Sequence, residues 1–127
     1  MTKNEIKLKL KDLTVMFVDD EEFVVETMKD ILPMLFKESY FASNGVDGIT
    51  QAKNNKIDIL ITDLSMPKMN GIDMIKKIKI FSPDTKVICV SGHNESEFME
   101  KAEELKSSFI IKPISSGELF KALGEVL

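Results

Sequence analysis

The chain of 127 residues contains no arginine, so all 17 of its basic residues are lysine. Arginine is the usual residue for bidentate recognition of phosphates and base edges. Its absence, together with a net charge of −4, argues against nucleic-acid binding. The single cysteine, Cys89, excludes an internal disulfide framework. It reads as a buried strand thiol rather than a redox sensor. With one histidine, His93, there is no ligand set for zinc. No apolar run approaches the ~20 residues of a membrane span. The N-terminus, MTKNEIKLKLKD, has no signal-peptide core. The expected location is the cytoplasm, without membrane association. Low-complexity stretches and solenoid-period repeats are also missing.

What is present is a chain long enough for one domain, with 43% hydrophobic residues to fill a core. Residues 1–12 read as a polar leader. Its four lysines, Lys3, Lys7, Lys9 and Lys11, suggest a solvated or frayed segment rather than a binding patch. From residue 13 to 127, short apolar runs alternate with amphipathic segments. The patterning predicts strands at Leu13–Val18, Ser39–Ala42, Ile57–Thr62, Lys86–Val90 and Ser108–Ile111. Helices are expected at Glu21 to about Phe36, Val46–Asn54, Ile72–Ile80, Glu95–Lys106 and Gly117–Leu127. Phe23, Val24, Met28, Ile31, Leu32 and Leu35 would form the buried side of the first of these. Pro33 should kink that helix or end it near Leu32. Ser116 is the expected cap of the last one.

A strand followed by a helix, five times over, implies a parallel sheet covered on both faces. Right-handed crossovers leave few topologies. The flavodoxin-like (βα)5 doubly wound fold, strand order 2-1-3-4-5, is the expectation, with the site at the carboxyl ends of strands 1 and 3. Strand 1 runs into Asp19-Asp20, strand 3 into Asp63, strand 4 into Ser91 and strand 5 into Lys112. In that topology the five residues converge. Three neighbouring carboxylates repel one another, and a hard divalent cation, Mg²⁺ or Mn²⁺, relieves the repulsion. Lys112 and Ser91 suit a phosphoryl group as ammonium and hydroxyl donors. A carboxylate can serve as nucleophile and form an aspartyl phosphate. Asp63 could instead be a turn acid and Asp19 a helix cap, but neither role accounts for Asp20 or for the convergence.

These residues resemble the receiver domain of bacterial response regulators, the phosphoacceptor half of two-component signalling, and its single-domain CheY-like members most of all. VMFVDDEE matches the family's acidic pair, TDLSMPKMNG its phosphoacceptor loop, VSG its hydroxyl step after strand 4 and FIIKP its Lys-Pro after strand 5. The resemblance implies that Asp63 is phosphorylated from the phosphohistidine of a histidine kinase or phosphotransfer protein. It implies that Asp20 binds the metal directly, Asp19 mostly through water, and Ser65 through its backbone carbonyl. Ser91 and Lys112 would hold the phosphoryl group. Ser91 and Phe109 would form the switch, altering the face of the fourth helix, fifth strand and fifth helix.

Phe109 stands where the family often has tyrosine, so its switching would run on packing rather than on a hydroxyl. Lys112-Pro113 would be a cis peptide. Ser65 and His93, two residues past Asp63 and Ser91, would tune the phosphoryl lifetime. The domain would catalyse only its own phosphorylation and slow hydrolysis. It would exist as a monomer or a phosphorylation-linked homodimer. The alternatives are a phosphorylation-independent interaction module and an aspartate-nucleophile phosphohydrolase. The latter needs a second acid two residues after the nucleophile, where this chain has Ser65.

Overall fold

The computed structural model describes residues 1–92, 100 and 103–127. Five parallel strands, β1 (Thr14–Val18), β2 (Glu38–Ala42), β3 (Ile59–Asp63), β4 (Lys86–Ser91) and β5 (Ser108–Ile111), form one sheet in the order β2-β1-β3-β4-β5. This is the flavodoxin-like order. Around the sheet, among the described residues, lie α1 (Lys3–Leu10), α2 (Glu22–Leu35), α3 (Gly45–Asn54), α4 (Gly71–Phe81) and α5 (Ser116–Val126). The helix expected over Glu95–Lys106 lies mostly outside the described residues, as does His93.

The central strands are apolar on both faces because both faces are covered. Val15, Phe17, Ile59, Ile61, Ile88, Val90 and Ile110 point to one side, where α1, α2 and α5 bury Leu10, Met28, Leu32, Leu119 and Leu123 against them. Met16, Val18, Leu60, Val87 and Cys89 point to the other, against Ala52 of α3 and Ile72, Met74, Ile75 and Ile78 of α4. Helix starts follow the capping rule: Asn44 and Asn70 accept the Asp47 and Asp73 N–H groups at 2.8 and 2.9 Å.

Four local expectations are corrected. The leader is not frayed: residues 3–10 are helical, opened by a reciprocal Thr2–Glu5 capping box. Ile6 and Leu10, one turn apart, are buried in the first core. Of the three apolar residues among its lysines, Ile6, Leu8 and Leu10, only Ile6 and Leu10 share the buried face while Leu8 is exposed, too narrow a stripe to stand out from sequence. Of the two outcomes expected at Pro33, a kink or an end near Leu32, the second does not occur; the helix reaches Leu35. Proline removes one backbone bond, yet Leu32 is fully buried and its carbonyl still accepts the Phe36 N–H at 3.0 Å. Phe23 and Ile31 are not on the buried face but 82% and 40% exposed, because the apolar arc of α2 is wider than the surface it packs on. Ser115, not Ser116, caps α5, accepting the Glu118 N–H at 3.2 Å.

Candidate functional site

The ladder itself delivers the polar residues to one edge. The Asp19 N–H donates to Ala42 O (3.2 Å), Leu64 N–H to Val90 O (3.2 Å) and Lys112 N–H to Ser91 O (2.8 Å). Backbone pairing therefore runs to Asp19 after β1, to Lys112 after β5 and one residue past Asp63 after β3. The loop after β3 is drawn tight. Gly71 N–H donates to Leu64 O at 2.9 Å, and a Cβ at Gly71 would stand 2.3 Å from Asp63 O. Only glycine allows α4 to start so close to the strand end. Lys68, with φ of 69°, takes the left-handed conformation that turns this loop. The Lys112-Pro113 peptide is cis, as the resemblance implied.

At the edge, one oxygen from each of Asp19, Asp20 and Asp63 lies within 4.8 Å of the others. Asp19 and Asp63 are buried and Asp20 is exposed. Lys112 Nζ stands 3.1 Å from Asp63 Oδ2 and 3.3 Å from Asp19 Oδ2. The Asp63 carboxyl is pushed up to about 6, first by burial and then by the charge of Asp19, against the pull of Lys112. Burial also raises Asp19, against the pull of the Glu21 N–H and Lys112. Burial alone would lower Lys112, but the surrounding carboxylates outweigh it and hold its ammonium above the ordinary lysine value.

Asp19 Oδ1 accepts the Glu21 N–H at 2.9 Å, so Asp19 braces the chain just ahead of α2 without being its N-cap residue, which is Glu21. Its other oxygen, Oδ2, is buried and has no hydrogen-bond partner of acceptable geometry. A buried carboxylate oxygen that faces only the Lys112 ammonium, 3.3 Å away, beside two more acids is a donor set for a hard divalent cation. The three carboxylates fit such an ion.

Ser65 is exposed, and its N–H donates to Asp63 Oδ1 at 3.3 Å. Ser91 is fully buried at the end of β4, with its hydroxyl 3.2 Å from Gly92 O. Phe109 is half-buried against the second core, two residues before the end of β5. Cys89 is buried with its Sγ 3.2 Å from Ser107 Oγ, and burial pushes the thiol up to about 11. That makes it an inert packing residue at neutral pH. Sequence reasoning brought Asp19, Asp20, Asp63 and Lys112 together correctly. It missed Glu21, whose carboxylate stands 3.1 Å from Lys112 Nζ. The signal was available in the unbroken run Asp19-Asp20-Glu21-Glu22, but an acid at a helix start also suits the helix dipole.

Comparison with known proteins agrees with this arrangement. The family model described as the response regulator receiver domain matches residues 15–124. The chain is 33% identical over 114 residues to the chemotaxis protein CheY of Thermotoga maritima, covering 88% of this chain and 95% of that one. It is 32% identical to the autoinducer 1 sensor kinase/phosphatase LuxN of Vibrio campbellii, covering 90% of this chain but 13% of that protein. Among solved structures, a response regulator receiver domain protein from Clostridium thermocellum is similar with a TM-score of 0.77 and 28% identity, covering 90% of this chain and 93% of that one. A fold, a strand-end acid cluster and a family match that all coincide lead to one conclusion: the chain belongs to the response regulator receiver domain family of two-component systems, and is CheY-like.

Proposed function

We propose that this receiver is a phosphoacceptor, with Asp63 as its phosphorylation site. The observation that carries the reading is the meeting of Asp63 and Lys112. They lie 49 residues apart in sequence, yet they pair at 3.1 Å beside two further acids. At neutral pH the Asp63 carboxylate is mostly ionised, with its value pushed up to about 6. It therefore has the electron pair a nucleophile needs. One of its oxygens forms a bond to phosphorus as the P–N bond of a phosphohistidine breaks. The imidazole leaves with that electron pair. The donor is a histidine kinase or phosphotransfer protein, which places the encounter in the cytoplasm.

Lys112, already touching Asp63 Oδ2, pairs with a phosphoryl oxygen. Ser91 turns its hydroxyl toward the same group and reports its presence to β4. Asp19, Asp20 and Asp63, with the Ser65 backbone carbonyl, would hold Mg²⁺ or Mn²⁺. A bound ion would neutralise charge on the phosphoryl oxygens. Phe109, half-buried, repacks when Ser91 moves, and the face around β5 and α5 changes its affinity for a partner. This is a shift between two populations, biased by a local change of charge. The domain turns over no external substrate; it catalyses its own phosphorylation and slow hydrolysis. Ser65 and His93 set the phosphoryl lifetime.

A groove of about 600 Å³ between α2 and the β5–α5 loop opens beside the site. Its apolar walls are Phe23, Ile31, Pro113, Ile114 and Phe120, and it also shares Glu21 and Lys112 with the charged cluster. Its continuity with Lys112, which pairs with Asp63, supports it as the seat of the protein phosphodonor. The reading is tested by incubating the protein with acetyl phosphate, with and without Mg²⁺, and recording the intact mass. A phosphate adduct that needs Mg²⁺ is expected. No adduct from acetyl phosphate or from any kinase would favour a phosphorylation-independent interaction module.

A further inference from the structure

Glu21 occupies the N-cap position of α2, but its side chain makes no capping hydrogen bond. Instead its carboxylate reaches across to the end of β5 and stands 3.1 Å from Lys112 Nζ. Its backbone is tied to the acid cluster by the 2.9 Å bond from its N–H to Asp19 Oδ1. Lys112 thus touches two buried carboxylates, Asp19 and Asp63, and one on the rim, since the Glu21 side chain is 60% exposed. The three contacts are not equivalent. A divalent cation in the cluster would need the inner oxygens that the ammonium now faces, and the two cations repel.

We propose that Glu21 is an outer station for Lys112. It accepts the ammonium when a metal ion takes the Asp19 and Asp63 oxygens, and keeps it within reach of Asp63 for the phosphoryl group. This rests on the reading of Asp19, Asp20 and Asp63 as the metal site. Glu21 is a positioning residue: it acts through Lys112 and touches no reacting atom. Without it, Lys112 has only the inner carboxylates to pair with, and it competes harder against the ion.

The size follows from the exposure of the pair. A charge pair near solvent shifts an equilibrium by up to about fivefold, and salt weakens it. Mg²⁺ binding to the full chain, measured by titration calorimetry at low ionic strength, should therefore weaken about three- to fivefold in Glu21→Gln. The decisive comparison repeats that substitution in a Lys112→Met background, where no ammonium remains to be relocated. There the effect of Glu21→Gln should fall to about twofold or less.

Equal weakening in both backgrounds would show that Glu21 contributes only its charge, and would overturn the proposal. So would unchanged or tighter Mg²⁺ binding in Glu21→Gln alone. If wild-type protein binds Mg²⁺ and Asp20→Asn loses it, the metal site stands, and a missing coupling counts against Glu21 alone. Wild-type protein that binds no Mg²⁺ overturns the metal site and the proposal together.

Discussion

Asp63 sets two requirements that oppose each other. As a strand-end residue it is buried, and burial raises the cost of its charge. In the proposed role of nucleophile it must be ionised. The cost shows as a carboxyl moved from 3.8 to about 6. Between those values the folded protein holds this proton more tightly than the unfolded chain does. Metal-free stability should therefore fall as pH rises from about 4 to about 6, and level off above. Asp63→Asn removes the share of this dependence that Asp63 contributes, leaving that of Asp19, and should raise metal-free stability at pH 7 by about 1–3 kcal/mol, as measured by urea unfolding. At the same scale, Ser65→Asn or His93→Ala should change the dephosphorylation rate, followed by loss of the mass adduct. Unchanged rates in both variants would contradict the lifetime role. The acids and Lys112 were legible in the sequence because each ends a recognisable strand. Glu21 was not, because its partner lies 91 residues away and its local position already has an adequate explanation.

At the scale of elements, the site depends on how closely α4 approaches β3. Gly71→Ala places a methyl 2.3 Å from Asp63 O, so the helix or the strand end must move. The expected loss is about 1–3 kcal/mol in stability, with slower phosphorylation measured by the rate of adduct formation. A normal rate would mean that the loop accommodates the change away from Asp63. Helix α1 is the element that sequence patterning misread. Its lysines advertise solvent, while Ile6 and Leu10 enter the core beneath α5. The Lys3 and Lys7 ammoniums lie 4.7 and 5.9 Å from the Phe120 ring centre, so even the charged face is engaged. Leu10→Ala should cost about 2–5 kcal/mol. A loss under about 0.5 kcal/mol, the scale of an ordinary surface substitution, would return residues 1–12 to the status of a loose leader. The strands were readable because two-sided burial makes them nearly continuous apolar runs. The ends of α2 were less so, because tertiary packing of Leu32 and Leu35 overrides the local signal of Pro33.

For the whole molecule, the topology does the work of assembly. Three strand ends, contributed by distant parts of the chain, meet because parallel strands with right-handed crossovers all finish on one edge. The same edge adjoins the apolar groove beside α2, and the groove and the charged cluster share Glu21 and Lys112, so in the proposed function delivery and capture of the phosphoryl group would meet at these two residues. Phe23, exposed at 82%, is the natural probe of that division. Phe23→Asp should slow phosphorylation by a cognate kinase at least about tenfold, a loss on the scale of one interfacial aromatic anchor. It should leave the rate with acetyl phosphate unchanged, since a small donor has no use for the groove. Equal slowing with both donors would place Phe23 in the site's own structure instead.

Asp63, the acid at the end of β3, is the proposed receiver of the phosphoryl group, and the decisive experiment locates the modification. The protein would be phosphorylated with acetyl phosphate and Mg²⁺, reduced with borohydride to convert an aspartyl phosphate to homoserine, and digested for peptide mapping. Homoserine is expected at position 63 alone, and none in Asp63→Asn. Homoserine at Asp19 or Asp20 in the wild type, with position 63 unmodified, would contradict it.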